Sequence, residues 1–189
     1  LHRAEEPGDR ERYQTVFAAA GASVAAPTAS LHFTDAVFES LQAMEIGRTT
    51  ITLDVGLGTF APLSESSFET GKLHREFVTV ATSTAEELNA ARESGRSLIA
   101  VGTTVARTLE TITKDGTVHP FRGPIDTFIY PPYRFQAVDI LITNFHLPKT
   151  SLMLLVEAFL KSKGAKRGIM DLYEIAIRER FSFYSFGDS

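Results

Sequence analysis

The densest group of side chains that could do chemistry lies between residues 143 and 149. It holds a hydroxyl, an amide, an aromatic ring, an imidazole and an ammonium group, in the order Thr143, Asn144, Phe145, His146 and Lys149. An imidazole titrates near neutral pH and serves as a general acid or base, and an ammonium group attracts an anion. A lone histidine also commonly bonds a neighbouring carbonyl to hold a turn, so His146 has a structural interpretation beside the catalytic one.

Two apolar segments flank this group and must position it. Residues 138–143 are rich in β-branched side chains and interrupted only by Asp139, which predicts a short strand covered on both faces. Residues 152–160 are apolar except for Glu157, and Thr150 is a natural N-cap, so a buried helix is predicted there. Ligands of open α/β sheets bind beyond the carboxyl ends of strands, where helix N-termini present free N–H groups. We therefore expect this turn to face a polar ligand, and an anion in particular.

The same order of strand, polar turn and helix recurs at residues 97–112. The strand SLIAV is followed by Gly102, Thr103 and Thr104 and then by the helix VARTLETI, with Thr104 as the predicted N-cap and Arg107 three residues further on. Two such units in one parallel sheet put their turns at the same edge. Thr104 and Arg107 either face a ligand there or serve only as a cap and a surface charge.

Further polar candidates precede these units. Thr28 and His32 belong to the loop SVAAPTASLHFTD, which holds more polar side chains than a simple connection needs. His74 and Glu76 are two residues apart at the start of a predicted strand, where such residues share a face. They form either an acid/base pair or an ordinary surface pair, and two ligands do not make a metal site.

A glycine-containing turn follows the predicted strand 48–55 and contains Gly56, Gly58, Thr59 and Phe60. A dinucleotide-binding turn needs a third glycine, which does not follow at the required spacing. The segment is therefore interpreted as a tight turn that lets a ligand approach closely, with ordinary structural glycines as the alternative.

The composition limits the class of protein. The 189 residues, 43% of them hydrophobic, are enough for one domain with a sizeable core, and no apolar run reaches the roughly 20 residues of a spanning helix. Cysteine is absent, which fits the cytoplasm, and the net charge of −4 argues against general attraction to nucleic acid. The most basic segment, residues 161–167, either contacts RNA or satisfies the end of the preceding helix. Because the sequence begins with leucine, we expect it to be part of a longer protein.

Eight segments form a specific set when they are taken together in order: ERYQTVFA, SVAAPTASLHFT, VGLGTF, LHRE, AVGTTVARTLE, DTFIYPPYRF, VDILITNFHLPKTSLMLLVEAF and FSFYSFGD. They cover nearly the whole chain, and TNFHLPK together with SVAAPT and VGTT is the most specific combination. The set resembles the S-adenosylmethionine:tRNA ribosyltransferase-isomerases of queuosine biosynthesis, the QueA family.

The resemblance implies a fold. It covers the C-terminal half of the family's length, so residues 1–189 are expected to form a single α/β domain, a part of the family's catalytic domain. The expected architecture is a mixed, largely parallel sheet with helices on both faces. The family's first strands and its inserted β-barrel domain have no counterpart in this sequence.

The resemblance also implies an activity. The family acts on tRNA that carries 7-aminomethyl-7-deazaguanine at the wobble position. It transfers and isomerises the ribosyl part of S-adenosylmethionine, its co-substrate, to give epoxyqueuosine, and it releases adenine and methionine. No metal and no membrane are expected, and the complete protein is expected to be a cytoplasmic monomer.

Such chemistry needs a base beside the sulfonium, help for the departing adenine, and aromatic or carboxylate groups around the cation. The resemblance therefore suggests His32, His74, Glu76, Asp126 and His146 for acid/base work. Phe60, Phe145 and Tyr133 are expected to offer aromatic faces, and Arg107 and Lys149 to hold anionic groups. The remaining candidates for substrate binding are Thr28, Gly56, Gly58, Thr59, Gly102, Thr103, Thr104, Thr143 and Asn144.

The sequence departs from the family pattern at five positions. The family usually has glycine at Ser30 and Pro132, histidine at Asp54 and Gly71, and serine at Val105. The two missing histidines keep a rival function open, a non-catalytic relative that binds tRNA or a deazapurine nucleoside without turnover. An assay of adenine release from S-adenosylmethionine distinguishes the enzyme from the non-catalytic relative. A third interpretation, an ordinary nucleotide-binding α/β domain, is disfavoured because the sequence lacks the glycine motif of such domains.

Overall fold

Helices and short strands alternate along residues 13–18, 26–54, 63–183 and 187–188, which are the residues that the computed structural model describes. The strands are β1 (Thr52–Asp54), β2 (Lys72–Val80), β3 (Ile99–Val101), β4 (Thr113–Lys114), β5 (Thr117–Val118), β6 (Phe121–Thr127) and β7 (Ile140–Ile142). The helices are α1 (Asp35–Ala43), α2 (Glu65–Thr70), α3 (Thr82–Glu93), α4 (Thr103–Ile112), α5 (Ser151–Ser162) and α6 (Ile169–Arg178), with a 3₁₀ helix at Thr28–His32.

Strands β3 and β7 form a parallel pair. Ile99 lies opposite Ile140, and the pairing continues to the ends of both strands. The side chain of Asp139 starts this pairing, because its Oδ2 accepts a hydrogen bond from the Leu98 N–H at 2.9 Å. The one polar residue in the predicted strand 138–143 thus sets the register of two strands.

The other ladders are antiparallel. Strand β2 lies between β1 and β6 in a three-stranded sheet, and β4 and β5 form a hairpin. The predicted α/β class is confirmed, but the pairing differs from a largely parallel sheet, since β3–β7 is the one parallel ladder within the described residues.

Several element boundaries differ from the predictions. The strand predicted at 48–55 is β1, which covers residues 52–54 of the described part, and the strand predicted at 138–143 is β7, which covers residues 140–142. β6 includes Pro124, which lacks an N–H, and it lies at an edge of its sheet, where a proline is tolerated. The predicted N-cap Thr150 is confirmed by a bond from the N–H of Met153, and Thr34 caps α1 in the same way by accepting from the N–H of Val37.

The core lies between α4, α5 and the strands beside them. Helix α4 is the most deeply buried helix, and even its polar residues Thr108 and Glu110 are covered. Residues from all these elements form one apolar cluster: Ala100, Ala106, Leu109, Ile112, Val138, Leu155 and Ala158, among others. This cluster holds β3, β7 and the helices that follow them in one rigid arrangement.

The helices in the described part of the chain are short. Helices α3 and α5, at 12 residues each, have the greatest length. Because a spanning helix needs about 20 apolar residues, none of these helices could cross a membrane.

Candidate functional site

The turns after β3 and β7 lie side by side. The N–H of Gly102, directly after β3, donates a hydrogen bond to the carbonyl of Ile142 at 2.9 Å, and Thr143 follows. Two segments that the sequence places 40 residues apart therefore meet at one sheet edge, as the repeated order of strand, turn and helix predicts. We refer to residues 102–104 and 143–149 as the carboxyl edge.

Helix α4 begins at this edge, and within the described residues no side chain caps its N-terminus. Gly102 is its N-cap, with φ of 98°, and forms no side-chain cap. The predicted cap, Thr104, lies within the helix instead, and its carbonyl accepts a bond from the Thr108 hydroxyl. The left-handed conformation suits glycine and leaves N–H groups of the first turn without a capping side chain. Such N–H groups, together with the helix dipole, favour an anion.

Asn144 joins the carboxyl edge to the 3₁₀ helix. Its Oδ1 accepts a hydrogen bond from the Thr28 hydroxyl at 2.9 Å, across 116 positions of sequence. Asn144 is only 6% exposed, and a buried amide is destabilising unless it is bonded. The polar loop that the sequence singled out around Thr28 therefore belongs to the same site.

Hydrogen bonds hold both the ring and the backbone of His146. Its Nε2 lies 3.0 Å from the Thr143 hydroxyl, its backbone N–H donates to the Tyr173 hydroxyl at 2.6 Å, and that hydroxyl donates to the His146 carbonyl at 3.1 Å. Burial lowers the pKa of His146 to about 4. The imidazole is therefore neutral at pH 7, and it can form hydrogen bonds or accept a proton.

Tyr173 was not identified from the sequence, although it shares the apolar stripe of α6, where a tyrosine hydroxyl needs a partner. Burial raises the pKa of Tyr173, while the bond to the His146 backbone opposes the shift. The hydroxyl thus remains protonated and donates its hydrogen bond at neutral pH.

Phe145 packs among aromatic rings from the C-terminal part of the chain. The ring centroids of Tyr173, Phe181 and Phe183 lie 5.3, 5.9 and 4.7 Å from that of Phe145. This cluster fixes the turn against α6. Phe145 is half-buried, so only part of its ring is available to a ligand.

Arg107 and Glu76 form a buried ion pair. Their side chains are 6% and 2% exposed, and a guanidinium N–H of Arg107 donates to the Glu76 carboxylate. Burial lowers the pKa of Arg107 to about 10, so the group remains a cation at neutral pH. Its Nε is also buried and bonds no described residue. Arg107 is thus a buried cation one turn into α4 rather than a surface charge.

His74 and Glu76, which were predicted to share a strand face, lie in different surroundings. The β2–β6 register shifts between Lys72 and Glu76, so the simple alternation of faces fails over this stretch. His74 is exposed, whereas Glu76 is buried against Arg107. The expectation that the two side chains act together from one face is therefore corrected.

Three further candidates occupy surface positions. Asp126 forms ion pairs with Lys72 at 3.5 Å and Arg75 at 3.8 Å. His32 is exposed at the end of the 3₁₀ helix that carries Thr28. Lys149 is exposed on the turn, with φ of 62°, a left-handed conformation uncommon for a lysine. Of these three, only Lys149 belongs to the carboxyl edge.

Tyr133 lies at the other end of β7. Its hydroxyl donates to the buried carboxylate of Glu110 at 3.2 Å, and burial, with the charge and hydrogen bond of Glu110, raises its pKa. Glu110 also binds the backbone directly before β7, whereas the turn with His146 follows β7. Tyr133 is therefore placed away from the carboxyl edge, and its substrate-binding role stays a prediction.

The remaining positions divide into two groups. The predicted glycine-containing turn with Gly56, Gly58, Thr59 and Phe60 lies outside the described residues. Among the departures from the family pattern, Gly71 ends α2 with φ of 67°. A histidine there would be strained in this conformation. Within the described residues, no three His, Asp or Glu side chains come together as a possible metal site.

Curated relatives match this chain over nearly its whole length. The S-adenosylmethionine:tRNA ribosyltransferase-isomerase of Moorella thermoacetica is 48% identical over 98% of this chain and 53% of its own length. The protein of that name from Symbiobacterium thermophilum is 50% identical over 98% of this chain and 52% of its own. The chain thus spans about half the length of the curated relatives it matches.

A solved structure and a family model agree with these relatives. The crystal structure of S-adenosylmethionine tRNA ribosyltransferase from Thermotoga maritima superposes with a TM-score of 0.68 at 38% identity, over 85% of this chain and 50% of that one. The model of the family described as "Queuosine biosynthesis protein" matches residues 1–189. On the strength of a match along its entire length, this chain belongs to the queuosine biosynthesis protein family.

Proposed function

We propose that this chain is part of a tRNA-modifying enzyme that transfers and isomerises the ribosyl group of S-adenosylmethionine, with the reaction at the carboxyl edge. The observation that carries the proposal is the identity of 48% over 98% of the chain to a relative named for this activity. The proposed acceptor is 7-aminomethyl-7-deazaguanine at the tRNA wobble position, and the released products are adenine and methionine. The proposed location is the cytoplasm.

The groups at the carboxyl edge fit the parts of S-adenosylmethionine. The uncapped N-terminus of α4 suits the carboxylate of the methionine portion, with Arg107 one turn further along the helix. The bonded pair of Thr28 and Asn144 offers hydroxyl and amide groups of the kind that recognise a ribose or the edge of adenine. The half-buried ring of Phe145 offers a face to the sulfonium.

His146 is the proposed acid/base residue. The reaction needs the removal of a proton from the carbon beside the sulfonium and a proton for the departing adenine. The imidazole is neutral because burial lowers its pKa to about 4, so it can accept the first proton. Once protonated in a buried site, it is a strong acid and can return the proton to the leaving base. Thr143, 3.0 Å from Nε2, orients the ring for this exchange.

The proposal is tested with the full-length protein, S-adenosylmethionine and tRNA carrying 7-aminomethyl-7-deazaguanine. Adenine release should depend on this tRNA and should match the epoxyqueuosine formed, one molecule for one. The matched control is the same tRNA with guanine at the wobble position, which should release none. Tight tRNA binding without adenine release would establish the non-catalytic alternative and overturn the proposal.

A further inference from the structure

A cavity of about 450 Å³ opens between α1, α3, residues 13–18 and residues 48–50. Its walls combine aromatic rings, one guanidinium group and two carboxylates: Phe17, Phe38, Arg48, Asp35 and Glu87. None of the residues of the carboxyl edge lines it. The proposed reaction leaves this cavity without a role.

Flat surfaces suited to stacking lie along the cavity. The guanidinium carbon of Arg48 lies 4.4 Å from the ring centroid of Phe38, and the ring of Phe17 packs edge-on against Phe38 at 5.4 Å. Phe17 is nevertheless 38% exposed. Unpaired nucleic-acid bases are bound by this combination, because every base has a π-face that stacks on aromatic rings and on guanidinium planes.

The charges favour a base over a phosphate. Asp35 and Glu87 line the cavity with Arg48, but among the described residues Arg48 forms no ion pair with either of them. Carboxylates repel phosphate groups and accept hydrogen bonds from the amino groups at base edges. A nucleotide bound here would place its base inside and keep its phosphates in solvent.

The wall opposite α1 is held in place by hydrogen bonds. The Thr84 hydroxyl donates to the Thr50 carbonyl at 3.2 Å and accepts from the Thr49 hydroxyl at 3.4 Å. Thr84 lies three residues before Glu87 on α3, so the same helix fixes both the wall and a carboxylate. A cavity formed in advance loses little conformational entropy on binding.

The 3₁₀ helix Thr28–His32 links the cavity to the carboxyl edge. It starts at the residue bonded to Asn144, and two extended residues connect it to α1, which carries Asp35 and Phe38. At about 2 Å per residue, the five residues of the 3₁₀ helix span roughly 10 Å, and the two extended residues add at most about 7 Å. A single-stranded loop whose modified base lies at the carboxyl edge could therefore place a neighbouring base in the cavity.

From these contacts we propose that the cavity is a second binding site, which stacks an unpaired base of the RNA substrate next to the nucleotide being modified. The inference rests on the proposed function, because it takes the partner to be a tRNA anticodon loop. The adenine of S-adenosylmethionine is the other flat base in the reaction, and the proposal assigns it to the carboxyl edge.

The test is an abasic scan of the anticodon stem-loop with the full-length protein. Each loop nucleotide in turn is replaced by an abasic one, and the Kd is measured by fluorescence anisotropy. Removal of one particular base next to the wobble position should weaken binding to the wild-type protein about tenfold, the scale of one stacked base. The same removal should have a clearly smaller effect on the Phe17→Ala and Arg48→Lys variants, because each of them already lacks part of the stacking surface.

Matched controls separate stacking from charge and from folding. Arg48→Lys keeps the charge and loses the plane, and Arg178→Lys makes the same change at an exposed position on α6. Phe68→Ala, at a comparably exposed ring on α2, is the control for Phe17→Ala. The controls should retain the wild-type abasic profile. All four variants should melt within a few degrees of wild type, because each substituted residue is exposed. This agreement is required before the abasic profiles are compared.

The outcomes distinguish this inference from the proposed function. A profile shared by wild type and the Phe17 and Arg48 variants would overturn the inference, as would a raised KM for S-adenosylmethionine with an unchanged Kd for RNA. The proposed function is measured separately by adenine release from wild type. If release is absent while the abasic profile differs as expected, the proposed reaction fails and the base site stands.

Discussion

The two ends of β7 are built in opposite ways. At the amino end, the carboxylate of Glu110 accepts hydrogen bonds from the backbone N–H groups of Gln136, Ala137 and Val138 at 2.8 to 2.9 Å, and from the Tyr133 hydroxyl at 3.2 Å. Every one of these groups is used in holding the chain. A charged side chain can be fully buried there because it is so well bonded.

At the carboxyl end, the His146 ring and the N-terminus of α4 keep hydrogen-bonding capacity that the described residues do not use. Among those residues the His146 ring bonds Thr143 alone, no side chain caps α4, and Lys149 is exposed. The Tyr173 hydroxyl holds the turn through the backbone of His146 and does not bond the imidazole ring. The comparison shows that buried polar residues can serve the fold alone. It makes polar groups that are held in place with unused hydrogen-bonding capacity the better candidates for a site.

We expect the largest effect from Glu110→Ala, at the amino end of β7. The substitution leaves three backbone N–H groups and one hydroxyl without their acceptor, so we expect a loss of about 3–5 kcal/mol in the free energy of unfolding. Urea denaturation measures it. Glu179→Ala, at an exposed residue, is the control and should change the value by less than about 0.5 kcal/mol. A loss below 1 kcal/mol for Glu110→Ala would contradict a structural role for this end.

At the carboxyl end, His146→Ala in the full-length protein should affect turnover instead. We expect kcat to fall by roughly a hundredfold or more, the scale of losing a general acid or base, which equals about 2.7 kcal/mol. Stability should change little, because the bonds to Tyr173 use the His146 backbone and survive the substitution. A large loss of Tm with near-normal turnover would show that the ring only holds the turn.

The depressed pKa of His146 predicts a pH dependence of stability. In the folded protein the pKa is about 4, whereas an unfolded histidine has a pKa of about 6.5, so between these values the unfolded chain binds a proton that the folded chain does not. Stability should therefore fall by up to about 1.4 kcal/mol per unit as the pH drops below 6.5, and this contribution is absent above 6.5. Urea titrations between pH 5 and 8 should show a weaker slope for His146→Gln. Identical slopes for wild type and His146→Gln would show that the His146 ring is exposed to water in the folded protein.

Tyr173→Phe should have the smallest effect. It removes a hydroxyl that both accepts from and donates to the His146 backbone, which should lower the free energy of unfolding by about 1 kcal/mol. The ring still packs on Phe145, so the aromatic cluster remains. Turnover should fall by less than it does in His146→Ala. If the fall is equal, the position of the turn matters as much as the imidazole does.

Features that depend on neighbours in sequence could be predicted. The caps at Thr34 and Thr150 involve an N–H group three positions away, so the local pattern contains all the information. The meeting of the turns after β3 and β7 was also predictable, because parallel strands align their carboxyl ends.

Features that depend on distant partners could not be predicted. Glu110 binds residues 23 to 28 positions away, and Arg107 and Glu76 are 31 positions apart. A glutamate in a helix and an arginine one turn before it look like surface charges in the sequence, because no local pattern reports what packs over them. The N-cap of α4 is Gly102 and not the predicted Thr104, and the N–H of Gly102 is also bound to a distant partner, the carbonyl of Ile142.

The parallel pairing of β3 with β7 also has a consequence for folding kinetics. Leu98 and Asp139, whose contact starts the pairing, are 41 positions apart. Bringing them together costs conformational entropy before the contacts between the two strands can offset it. Helix α4, by contrast, forms from local contacts. The carboxyl edge should therefore be completed late in folding and be lost early in unfolding. A ligand bound there would slow the exchange of amide hydrogens in β3 and β7 more than that of amide hydrogens in the β4–β5 hairpin.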